Sequence, residues 1–173
     1  MNARAALFGL LFLLVLVEST WLPPFSPQHF GAPFLMAFRF SFVVVLLVAM
    51  LRGRRMGFWL GLGLGFLHDV LYSGVMGVYA FGMGFAAYLA GYAFLFFHRS
   101  FLVVGTVLFA VLVAFELIVF GFYRLFVWTA APLQTFWLHY LIPTVVVNAL
   151  FGLLVYRPLL GLIGRDADDG AGS

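Results

Sequence analysis

Residues 57–91 read GFWLGLGLGFLHDVLYSGVMGVYAFGMGFAAYLAG: two apolar runs joined by a Ser-Gly break, glycine recurring through both, and one carboxylate, Asp69, near the end of the first. A helix needs about 20 predominantly apolar residues to cross the roughly 30 Å of a bilayer's hydrocarbon. Glycines four apart share a helix face. Gly57, Gly61 and Gly65 therefore form a stripe leading to Asp69; Gly82, Ala86 and Ala90 form a similar ridge in the second run, and Gly74 and Gly77 are expected to serve helix packing as well. Small residues let membrane helices approach closely, where apolar side chains alone give no drive to associate. A carboxylate in such a run needs a partner, because it is expensive to hold in hydrocarbon.

The rest of the chain follows the same pattern. Of 173 residues, 65% are hydrophobic, 20% aromatic and 9% charged, which excludes a soluble domain of ordinary surface. Candidate spans cover 5–22, 33–51, 57–72, 75–97, 101–123 and 138–156, and no alternating strands of barrel type occur. The expected fold is an all-α integral membrane bundle of six transmembrane helices. Residues 1–163 form this one domain, and 164–173, GRDADDGAGS, read as a disordered cytoplasmic tail. Cysteine is absent, which excludes disulfides, thiol catalysis and cysteine-ligated metal.

Arginine sets the orientation, because short cytoplasmic loops gather positive charge. With the N-terminus inside, Arg4, Arg52, Arg54, Arg55, Arg99, Arg157 and Arg165 lie on the inner face, Arg124 lies outside, and Arg39 falls within a span. Both termini are then cytoplasmic, in agreement with an even number of spans. Arg52, Arg54 and Arg55 are expected to attract anionic lipids.

In this orientation Glu18, Arg39, Asp69 and Glu116 all lie in the outer half of their spans, while the last span carries Asn148 near its middle. Glu18 and Arg39 either pair with each other or reach the outer headgroups. Three acids face one arginine, so at least one acid is protonated, meets water or meets another group. His68 beside Asp69 lacks an accompanying nucleophile, and His29, His68, His98 and His139 lack metal-ligand spacing. No catalytic residue, cofactor or metal is expected. The expected site is an outer polar cavity or partner contact formed by Asp69, Glu116, Arg39 and Glu18.

Gly65, Asp69, Ser73, Gly74 and Gly77, in the order G-x-x-x-D-x-x-x-S-G-x-x-G, are followed by Ala87, Tyr88 and Leu89. This block resembles the signature region of the MreD family of rod shape-determining proteins. Pro33 at the opening of the second span, Glu116 and Asn148 extend the resemblance, whereas His68 and Arg39 depart from it. The resemblance implies a non-enzymatic scaffold of the bacterial elongation machinery in the inner membrane. It would bind MreC, together with MreB, RodA and a class B penicillin-binding protein in a larger assembly, and help regulate peptidoglycan synthesis and rod shape. It also implies a fold similar to the S components of energy-coupling transporters. The alternative is then a substrate-binding subunit for a small, vitamin-like molecule. The sequence leaves open the role of residues 124–137.

Overall fold

A computed structural model describes residues 3–20, 35–72, 76–96, 100–126 and 132–169. Gly74, Ser73, Pro33 and the chain beyond Asp169 fall outside them, as do the side chains of Arg4, Arg99 and Arg165. The described residues form six helices: α1 (Ala3–Thr20), α2 (Phe40–Arg52), α3 (Arg54–Tyr72), α4 (Val78–Ala93), α5 (Phe101–Leu125) and α6. α6 is continuous but uneven, with an α-helical turn Leu133–Phe136, a wider π-type stretch Trp137–Leu141 and a long run Ile142–Asp169. That run passes Gly164, where the sequence places the start of the tail.

α2 is the centre of the bundle. Its sequence, FSFVVVLLVAMLR, is apolar on every face, and a helix of that kind belongs in a core. Residues 41–50 are all buried, with α1, α3, α4 and α6 packed around them and α5 closing against α4 and α6. Phe42 of α2 meets Phe115 of α5 with ring centroids 4.7 Å apart. The outward faces of the other five helices carry exposed Phe12, Phe66, Phe81, Phe109 and Leu154, a surface suited to lipid.

By length and composition, α5 and the stretch Leu133–Gly161 of α6 are long enough to cross a membrane. α2 is much shorter, and here the structure corrects the expected span 33–51. Its helix starts only at Phe40, and residues 35–39 lie outside any helix. Thirteen helical residues rise about 20 Å at 1.5 Å each, less than the roughly 30 Å of hydrocarbon. α4 is likewise shorter than its expected span of 75–97.

The turn between α2 and α3 is tight. A single residue, Gly53, joins α2 to α3 with φ 109°, a conformation that side-chain-bearing residues avoid, and its N–H donates to Ala49 O. Gly77, φ 101°, stands immediately before α4. Glu18 near the end of α1 bonds Ser41 at the start of α2, and Asp69 near the end of α3 bonds Gly77 and Ala80 at the start of α4, so these neighbours run antiparallel. The ends of α1, α3 and α5 therefore gather with the starts of α2, α4 and α6, and this is the end that holds Glu18, Arg39, Asp69 and Glu116.

Candidate functional site

Every helix begins with amides that lack an intrahelical acceptor, and in a membrane interior water does not serve them. The starts of α2 and α4 meet this need with carboxylates. Asp69, 1% exposed, accepts from Gly77 N at 2.9 Å, Tyr79 N at 3.1 Å and Ala80 N at 2.9 Å. Glu18 of α1 accepts from Ser41 N at 2.7 Å and from the Ser41 hydroxyl. A negative group at a helix N-terminus also complements the helix dipole. Two of the three acids therefore meet backbone amides, and neither pairs with Arg39.

Residues 35–39 lie outside any helix, so their amides have no helical acceptor, and α6 supplies partners for three of them. Leu35 N donates to His139 O at 2.7 Å, Ala37 N to Thr144 Oγ1 at 3.2 Å, and Arg39 N to Asn148 Oδ1 at 2.8 Å. Asn148 Nδ2 returns bonds to Ala37 O at 2.8 Å and Thr144 O at 2.7 Å. The spacing has a geometric reason. Thr144 and Asn148 lie four residues apart on one face of α6, and the alternate amides of Ala37 and Arg39 meet them there. His139 O is available because the residue four positions on is Pro143, which has no N–H to donate. The π-type stretch adjoins this point, with Ile142 N bonding Trp137 O.

Arg39 emerges from this strap into the bundle. Its Nε bonds Glu116 Oε1 at 2.5 Å, and its guanidinium lies 5.1 Å from the ring centroids of both Tyr79 and Phe115. Tyr140 OH, 3.2 Å from Glu116 Oε2, completes the group. Arg39 and Glu116 are 6% and 2% exposed, so their pairing is what makes either charge tolerable there. Sequence reasoning missed Tyr79, Tyr140, Ser41 and Thr144, whose hydroxyls and amides are ordinary in membrane helices and gain meaning only from their partners.

Beside the ion pair is a cavity of about 300 Å³ lined by Leu35, Tyr79, Glu116, Val119, Phe120, Tyr123, Thr135, Phe136 and Tyr140. Of the four ionisable residues expected there, Glu116 lines it, while Arg39, Asp69 and Glu18 are not among the lining residues. Asp69 acts at one remove, since it holds the amide of Tyr79, whose ring faces the cavity. Thr135 and Phe136 give part of the stretch 124–137 a place in the lining. The lining is mostly aromatic with one carboxylate and several hydroxyls, a surface for binding rather than for covalent chemistry.

The glycine stripe performs the expected close packing with different neighbours at each step. A Cβ on Gly61 would lie 2.6 Å from Met83 O, and one on Gly65 would strike Tyr79 O, so both glycines bring α3 against the α4 backbone. Gly57 instead abuts Ala49 of α2. Gly82 and Ala86 do not form the matching ridge. A Cβ on Gly82 would meet the Phe115 ring of α5 at 3.1 Å, whereas Gly84, whose Cβ would approach Leu62, turns to α3. Ala86 is buried in the core. The difference is one of helix face, since residues two apart point about 200° from each other.

The model of a family described as rod shape-determining protein MreD matches residues 2–165. The rod shape-determining protein MreD of Bacillus subtilis (strain 168) is 30% identical over 120 residues, which cover 69% of this chain and 70% of that protein. No solved structure matches the chain.

Proposed function

The chain belongs to the MreD family, non-enzymatic shape-determining membrane proteins, and from that premise we propose that it is a scaffold whose cavity at the polar end receives a segment of MreC. The observation that carries this reading is the cavity itself, walled by Phe120, Phe136, Tyr79, Tyr123 and Tyr140 around the Glu116 carboxylate. Aromatic side chains with polar tips suit a membrane-proximal peptide that leaves lipid for water. The ion pair behind Glu116 fixes its position, so the site is formed before a partner arrives. In this reading the polar end faces outward, both termini are cytoplasmic, and MreB, RodA and a class B penicillin-binding protein join through the larger assembly.

The test is to fill the cavity without touching the ion pair. Thr135→Trp, at an exposed position of the lining, should abolish co-purification with MreC while leaving the thermal midpoint of the isolated protein close to that of the parent. Full recovery of MreC with a filled cavity would sink the assignment. A small molecule retained after gentle purification, and absent from Thr135→Trp, would replace it with the transporter-subunit reading.

A further inference from the structure

At the opposite end of the bundle, where α3 begins and α4 ends, a groove of about 300 Å³ is lined by Arg55, Phe58 and Trp59 of α3 and Phe85 and Tyr88 of α4. The three arginines of this segment differ in what they touch. Arg54 lies 5.6 Å and 5.4 Å from the ring centroids of Tyr88 and Tyr92, so it belongs to the wall. Arg55 is exposed at the groove and has no hydrogen-bond, ion-pair or ring partner among the described residues. The carboxylates Glu18, Asp69 and Glu116 are all engaged at the other end of the molecule.

The groove below Arg55 is preformed. Phe58 stands edge-on to both Trp59 and Tyr88, Tyr88 stacks on Tyr92, and Phe85 stacks on Phe81. Gly91 draws α4 close to the start of α3, since a Cβ there would lie 2.7 Å from Arg54 Cα. Trp59 is exposed one turn inside the helix start, a depth at which indole rings favour the membrane interface. A cation with no counterion among the described side chains stands above an apolar slot between two helices.

We propose that this groove is a binding site for one anionic phospholipid, its headgroup phosphate on the Arg55 guanidinium and the upper part of an acyl chain along Trp59 and Phe85. Charge complementarity selects the headgroup, and the ring-built wall receives a chain with little reorganisation. The site is independent of the cavity at the polar end. It assigns to Arg55 a local role distinct from general attraction of the arginine cluster to a negative surface.

The test uses the full chain with Trp21, Trp128 and Trp137 replaced by Phe, which leaves Trp59 as the reporter, in phosphatidylcholine bilayers containing bromine-labelled phosphatidylglycerol or bromine-labelled phosphatidylcholine. Phosphatidylglycerol should quench Trp59 with about fivefold higher relative affinity, the effect of one arginine near a membrane surface. Arg55→Gln should bring the two lipids to parity, and Arg157→Gln, which removes an exposed charge from α6, should leave the preference intact. Parity in the parent, or an equal loss in both variants, overturns the proposal. Native mass spectrometry of the chain with all tryptophans present gives a second reading. Arg55→Gln should lose one retained phosphatidylglycerol, and an unchanged count overturns the proposal.

Discussion

The starts of α2 and α4 lie at the same end of the bundle and solve the same problem by opposite routes. α4 is capped by Asp69, from the helix immediately before it and eleven residues or fewer along the chain. α2 is capped by Glu18, across a separation of 23 residues, and its entry is strapped to α6 across separations of 107 and 109. One start is a local motif and the other a product of the whole fold. A local cap can be lost with damage confined to its own turn, whereas a distributed one transmits the loss to every element that shares it.

Breaking the distributed region should have the largest effect. Glu116→Ala leaves Arg39 buried without its ion-pair partner and should lower stability by about 3–5 kcal/mol, read from thermal unfolding in lipid nanodiscs. The double replacement Arg39→Met with Glu116→Leu should recover much of that loss, because it removes both charges together. Asn148→Leu should come next, at about 2–3 kcal/mol, since it strands Arg39 N and Ala37 O in the interior. Amide exchange should then rise at residues 35–39 and remain unchanged at the start of α4. Exchange spreading equally to both starts would show that the two are one unit.

The local start should be more forgiving. Asp69→Ala should cost about 2 kcal/mol, as the upper range for a lost N-cap, and Asp69→Asn distinctly less because it keeps an acceptor oxygen. Equal losses for the two replacements would mean that charge, not the bonds, does the capping. Within α3 the glycines sharpen the contrast further. Gly65→Ala should lower stability by about 1–3 kcal/mol through its clash with Tyr79 O. Gly63→Ala, where a Cβ meets nothing within 4 Å, should change stability by a few tenths of a kcal/mol in the favourable direction.

The same contrast governs what the sequence could disclose. Helical class and helix number follow from runs of apolar residues, and the tight α3–α4 contact follows from glycine spacing, because both are patterns within a short window. Asp69 is visible for the same reason: a lone acid just before Ser-Gly stands close to the amides that it serves. The strap is invisible because Leu35, Ala37 and Thr144 carry no unusual chemistry, and only their register against one another gives them a role. Pro143 was the available signal, since a proline inside a helix always frees a carbonyl for some outside donor. The partner of Arg39 could not be chosen from sequence because Glu18 and Glu116 share its depth. Burial then decides, by placing Glu18 on the amide of Ser41.

The bonds from residues 35–39 to His139, Thr144 and Asn148 also impose an order on biogenesis. α2 leaves the ribosome well before α6, yet the acceptors for its entry lie on α6. Until α6 is made, the amides of Leu35, Ala37 and Arg39 have no lasting acceptor, so the central helix is inserted early and seated late. A nascent chain halted before α6 is a bundle with its middle unfinished, exposed for that interval to whatever in the membrane can offer a carbonyl.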